Sequence, residues 1–256
     1  MDPPLHEFIP HDIKRQKKLA EALGINAQEL ERRSYALKES NPMMGHRGVR
    51  LGITYPEIYE MQIRSVFEAT AELVKKKVDA RPQIMIPQIS SISELNHIKK
   101  IYDVIRSEME KKHKVRLEIN FGTMLEVVRA CLTSDQLVKT AEFFSFGTND
   151  LTQAVFSFSR EDAESKFLPE YMEKEILETN PFQSIDENGV GSLMDIAISQ
   201  GRKIKKNLEI GICGEHGGDP NSIKFCHSAN VSYVSASPHR IPIAIVAAAQ
   251  AAINKK

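Results

Sequence analysis

Cysteine is scarce: Cys131, Cys213 and Cys226 are the only three in 256 residues. They are too few and too scattered for a disulfide framework or a zinc cluster, so a reducing, cytoplasmic setting is expected. Charge of either sign is not in excess. Lys+Arg total 34 and Asp+Glu total 34, for a formal net charge of zero. Nucleic acid and anionic membranes reward a basic excess, so neither is expected as the main partner. No run approaches the roughly 20 apolar residues of a membrane helix. The opening MDPPLHEFIPHD is acidic and broken by proline. It lacks the basic segment and apolar core of a secretory signal. Internal repeats and low-complexity tracts are also missing.

What is present is ordinary globular usage, with 41% hydrophobic and 27% charged residues. The length suits one large domain or two small ones. Short apolar runs recur at Gln83–Pro87, Val115–Ile119, Phe143–Phe146, Leu208–Cys213 and Val231–Ser235. Helical patterns lie between them. Tyr55–Lys77 places Ile58, Met61, Ile63, Val66, Phe67, Ala71 and Leu73 near a 3.6 period. Ser93–Lys112 does the same with Leu95, Ile98, Ile101, Ile105 and Met109. Ser134–Thr140 and Gly191–Lys205 are shorter helical segments, and IPIAIVAAAQAAI near the end reads as a buried helix. Strands alternating with helices predict βαβ units and a parallel sheet. The length favours a (β/α)8 barrel over a doubly wound open sheet. Lys14–Ser40 is charge-rich and helical in pattern, without a strand signal. About six strands can be counted where the barrel needs eight.

Four clusters of glycine and polar residues follow strand signals: Gly45–Gly48, Gly122–Glu126, Gly147–Asp150 and Cys213–Asp219. Ligand sites of parallel α/β folds lie at the carboxyl ends of strands, so four such clusters are expected to converge. One alone would read as a capped turn. Glu126 and Asp150 are the carboxylates of interest. Mg2+ takes one or two protein carboxylates and completes its octahedron with substrate oxygens and water. Each could equally be a helix cap or a surface acid. Arg47 and Arg50 flank glycines and offer planar forks for a carboxylate or phosphate, or for a surface ion pair. Arg160 is a weaker candidate. Asn149 could donate to an anionic oxygen. Cys213 could be a nucleophile, a proton donor or an inert packed thiol. Cys131 and Cys226 sit in apolar helical patterns and read as packing. His46, His216 and His239 lie in polar loops without metal-ligand spacing.

Taken together, these segments resemble the pyruvate, phosphate dikinase family. The stretches that carry the resemblance include NPMMGHRGVRLGITYPEIYEMQ, INFGTMLEVVRACLTSDQL, AEFFSFGTNDLTQ and IGICGEHGGDPNSIKFCHSANVSYVSASPHRIPIAIVAAAQAA. They run collinearly over nearly the whole chain. Phosphoenolpyruvate synthase and the first enzyme of the sugar phosphotransferase system are related families. The resemblance implies a phosphoenolpyruvate- and pyruvate-binding (β/α)8 barrel with Mg2+. It implies metal ligation by Glu126 and Asp150, and substrate contact by Arg47, Glu126, Gly147, Thr148, Asn149 and Asp150. Cys213 would be the catalytic proton donor to the enolate of pyruvate.

The family's nucleotide-binding and phosphohistidine domains are not expected within residues 1–256. The chain therefore reads as one barrel domain, with a helical lead-in over 1–40 and barrel elements over 41–256. It is expected to begin after the family's first one or two strands and a substrate-binding arginine. A phosphohistidine would come from other sequence, and a homodimer is the expected assembly. Val128 and Gln88 stand where the family usually has proline and an apolar residue. Rival readings are a non-catalytic fragment acting in binding or dimerisation, an enzyme like phosphoenolpyruvate synthase, and a Mg2+-dependent barrel lyase or aldolase acting on pyruvate.

Overall fold

The structure is a computed structural model describing Pro10, residues 12–39 and residues 41–253. Most of the opening MDPPLHEFIPHD therefore lies outside the described residues. The expected helical lead-in is two helices, α1 (Ile13–Leu23) and α2 (Ala27–Ala36). Asp12 caps α1 by accepting from the Arg15 N–H, and Gly24 ends it in the left-handed conformation at φ 66°. Such a position favours glycine, which has no Cβ to clash.

The remaining helices, in chain order, are α3 (Val49–Thr54), α4 (Pro56–Lys75), α5 (Ile92–His113), α6 (Val128–Leu132), α7 (Ser134–Leu137), α8 (Thr148–Phe156), α9 (Arg160–Lys166), α10 (Leu168–Glu173), α11 (Ser192–Ile204), α12 (Pro220–Ser228) and α13 (Ile241–Ile253). Between them run β1 (Gln83–Ile86), β2 (Asn120–Leu125), β3 (Phe143–Gly147), β4 (Glu209–Cys213) and β5 (Tyr233–Val234). All pairings are parallel, and the spatial order β1-β2-β3-β4-β5 is the order in sequence. A doubly wound sheet reverses its strand order at a switch point. This sheet has no reversal, so its connectivity is that of a (β/α)8 barrel. Five strands stand among the described residues, one fewer than the expected count.

The strand expected at Val115–Ile119 lies later, at Asn120–Leu125. Leu117 and Ile119 are buried, but as the approach to the strand. The Tyr102 hydroxyl donates to the Ile119 carbonyl, so that carbonyl is satisfied outside the ladder. Helix α5 begins at a capping box in which Ser91 and Glu94 bond each other's backbone N–H. Its Tyr102 ring packs edge-on against Phe67 of α4 and at a tilt against Phe121 of β2, at centroid distances of 5.2 and 5.1 Å. These contacts pin α4 and the crossover helix α5 to the sheet.

Two expectations about helix faces fail. Met61 and Leu73 of α4 are exposed, while Ile63, Phe67 and Ala71 carry the buried face. The α13 helix buries only Ala244, Ala247 and Ala251. Ile243, Ile245, Val246 and Ile253 are all more than half exposed. Its composition is apolar all round, but it packs on the fold with its small residues.

Candidate functional site

Register brings the strand ends together. Leu125 pairs with Phe146, and Gly147 pairs with Cys213. The residues following β2, β3 and β4 therefore meet on one edge of the sheet, as expected from their position after strands. Two boundaries differ from expectation. Gly122–Leu125 lie within β2, and only Glu126 is beyond its end. Gly45–Gly48 follows a 3-10 turn (Pro42–Met44), not a strand, among the described residues. This loop reaches the edge by docking on the end of β1: Val49 N–H donates to the Pro87 carbonyl at 3.2 Å. Gly48 has φ 57°, and a Cβ there would come within 2.8 Å of Gln88.

Glu126 is 3% exposed. Burial of a lone carboxylate costs several kcal/mol unless it is paired or protonated. The backbone N–H of Gln88 donates to Glu126 Oε1 at 2.6 Å, and the Asp150 carboxyl is within hydrogen-bonding reach. Burial first, and the Asp150 charge second, hold Glu126 above the usual carboxylate range. Gly147 makes room for this arrangement, because a Cβ there would lie 2.5 Å from Glu126 Oε2. Asp150 sits in the first turn of α8. Arg47 Nη1 lies 3.6 Å from Asp150 Oδ1, with the Arg47 side chain only 12% exposed. Glu126, Asp150 and Arg47 thus lie together, and the arginine offsets part of the carboxylate repulsion.

Cys213 ends β4. Its thiol is 3.6 Å from the Phe146 carbonyl. Burial pushes its pKa up, a Ser145 hydrogen bond opposes this, and the Glu126 and Asp150 charges raise it further. It is a thiol, not a thiolate, at neutral pH. Cys131 and Cys226 are buried, with pKa values pushed up to about 12 by burial.

Thr148 donates to the Cys213 carbonyl at 2.9 Å, and Asn149 Oδ1 accepts from the Glu215 N–H at 3.1 Å. These bonds staple α8 to the loop after β4. Gly214, at φ 112°, permits the close approach; a Cβ there would be 2.7 Å from Thr148 Oγ1. A cavity of 330 Å³ opens beside the carboxylates, lined by Arg50, Gln88, Glu126, Asp150, Gln153 and Phe158 among others. That volume is at the small end of ligand sites. Arg47 and Cys213 approach the carboxylates without lining this cavity.

Other candidates are employed elsewhere. Arg50 donates to the Met44 and Gly45 carbonyls at 3.1 and 2.7 Å, bracing the loop that carries Arg47. Arg160 pairs with Glu164 at 3.2 Å and lies over the Phe182 ring. His46 meets Thr54 Oγ1 at 2.5 Å. His216, expected in a polar loop, is fully buried in the 3-10 turn Glu215–Gly218. Gln88 and His216 were named from the sequence, but neither with a role at the site. Gln88 acts through its backbone, which no side-chain pattern reports. Among the described residues no group of three or more His, Cys, Asp and Glu is placed to hold a metal, so any cation here would rest on two carboxylates and on ligand oxygens.

Residues 3–253 match the family model for PEP-utilising enzymes, PEP-binding domain. The chain is 49% identical over 262 residues to pyruvate, phosphate dikinase of Entamoeba histolytica, covering 99% of this chain and 30% of that protein. It is 48% identical over 257 residues to the Clostridium symbiosum enzyme of the same name, covering 100% and 29%. The same identity and coverage hold for the one from Rickettsia prowazekii. The chain thus spans about 30% of the length of these curated relatives. No helix among the described residues is long and apolar enough to cross a membrane.

Proposed function

The chain belongs to the family of PEP-utilising enzymes, as its PEP-binding domain, and on that premise we propose that it binds pyruvate and phosphoenolpyruvate and exchanges a phosphoryl group between pyruvate enolate and a phosphohistidine. The observation that carries the reading is the buried Glu126 with the half-buried Asp150 against it, and Arg47 and Cys213 beside them. Two adjacent carboxylates that repel each other, one of them buried, suit a hard divalent cation. Glu126 and Asp150 would hold Mg2+, whose charge would let both ionise and would stabilise an enolate oxygen.

The chain's own groups supply the rest. Arg47 grips the phosphoryl oxygens with a planar fork. Gly147, Thr148 and Asn149 would contact substrate, as the family resemblance implies. In the pyruvate-forming direction the C–O–P linkage breaks at phosphorus, and the phosphoryl group passes to the histidine nitrogen. The enolate left behind takes a proton on its methylene carbon from the Cys213 thiol. In the other direction the Cys213 thiolate removes a methyl proton, and the enolate oxygen attacks phosphorus. A thiol whose pKa is raised suits the donor role, since it carries its proton at neutral pH.

The relatives' name fits the overall exchange of ATP, pyruvate and phosphate for AMP, phosphoenolpyruvate and diphosphate. For this chain we assign only the pyruvate half. Residues 41–256 form the barrel part and 1–40 its lead-in. The phosphohistidine comes from outside residues 1–256, the assembly is a homodimer, and the setting is the cytoplasm. The intact Glu126, Asn149, Asp150 and Cys213 speak against a purely scaffolding remnant. The experiment is exchange of pyruvate methyl protons into deuterated water, followed by NMR, with Mg2+ and the chain present. Cys213→Ser should abolish exchange, and unchanged exchange would remove Cys213 from the mechanism.

A further inference from the structure

His216 lies in the 3-10 turn Glu215–Gly218 and is fully buried. Its Nε2 is 2.9 Å from the Pro181 carbonyl, and its Nδ1 is 2.8 Å from Thr148 Oγ1. A carbonyl only accepts, so Nε2 carries a hydrogen. Burial lowers the His216 pKa, which keeps the ring neutral and makes Nδ1 an acceptor. With Nδ1 an acceptor, the only hydrogen between it and Thr148 Oγ1 is the hydroxyl's own. The same hydroxyl is 2.9 Å from the Cys213 carbonyl. One hydrogen therefore faces two acceptors, one on the imidazole and one on the residue that carries the thiol.

We propose that His216 is a positioning residue: its imidazole joins the Pro181 carbonyl to the Thr148 hydroxyl and so clamps the loop after β4 onto the start of α8, holding the Cys213 thiol beside Glu126 and Asp150. The clamp has no slack. A Cβ on Gly214 would strike Thr148 Oγ1, and one on Gly217 would lie 1.9 Å from the Ser235 carbonyl oxygen. Both glycines let the turn press His216 against α8. The significance for proton transfer rests on the reading of the site given above. The clamp itself is a claim about geometry and can be tested without substrate.

The test combines NMR of the ring with thiol labelling. In the ¹⁵N-histidine-labelled chain at pH 7, the His216 Nδ1 should show the shift of an unprotonated nitrogen and Nε2 that of a protonated one. A protonated Nδ1 overturns the proposal. An aromatic disulfide reagent should label Cys213 ahead of the buried Cys131 and Cys226. His216→Asn keeps a polar acceptor at the Nδ1 position and should leave the Cys213 rate within about two-fold. His216→Gln reaches only the Nε2 position and should raise it about five-fold, as the loop loosens. Thr148→Val should raise the rate equally, and combining it with His216→Gln should add nothing further. Equal effects of Asn and Gln, or additive effects of the pair, overturn the clamp. Labelling needs no pyruvate, so these outcomes stand apart from any failure of substrate binding.

Discussion

The backbone N–H of Gln88 donates to Glu126 Oε1 at 2.6 Å, across the gap between the ends of β1 and β2. Gln88 holds φ at 59°, in the left-handed region, and is 4% exposed. The bond needs the backbone and not the glutamine side chain. Gln88→Gly should keep Mg2+-dependent oxalate affinity within about three-fold, because glycine accepts positive φ at little cost. Gln88→Pro removes the donor and forces φ negative. It should weaken oxalate at least about ten-fold, the loss expected for a hydrogen bond to a charged group. Calorimetry on both variants decides it; equal behaviour would show that Glu126 is held some other way.

Burial, and secondarily Asp150, raise the Glu126 pKa in the metal-free protein. The unfolded chain releases this proton near ~4.3. Between that value and the raised native one, the folded state binds more protons than the unfolded state. The stabilising contribution is therefore fully present below ~4.3 and is lost as pH rises through the native value. The melting temperature of the metal-free chain should fall between pH 5 and 8, and Glu126→Gln should flatten that fall. Parallel slopes in wild type and variant would contradict the shift.

The α13 helix presents Ile243, Ile245, Val246 and Ile253 to solvent. Contiguous apolar surface of this kind drives association. Sedimentation should show concentration-dependent dimers or larger species, and Ile245→Lys with Val246→Lys should shift them toward monomer. A monomer at all concentrations in the unmodified chain would mean that this face is tolerated alone.

The sequence made the strand–helix alternation legible because buried parallel strands read as short apolar runs and their crossover helices carry a 3.6 period. It misplaced β2 by several residues because the approach, with Leu117 and Ile119, is as apolar as the strand. It took α13 for a buried helix because composition does not say which face packs. At the site, Glu126, Asp150 and Cys213 were legible as polar residues at strand ends. Arg50 was not separable from Arg47, since both flank glycines and only the fold shows which one braces the loop. The part played by His216 depends on Pro181 and Thr148, which are 35 and 68 residues away. No local pattern encodes such partners.

In the proposed function, Glu126 and Asp150 form a cation-dependent site for a pyruvate-like anion. Oxalate, a planar mimic of pyruvate enolate, tests it most directly. Titration calorimetry on the whole chain should show oxalate binding with Mg2+ present and none in excess chelator. Asp150→Asn should remove that dependence while the fold persists by circular dichroism. Equal oxalate binding with and without Mg2+, or full Mg2+-dependent binding by Asp150→Asn, would contradict the account.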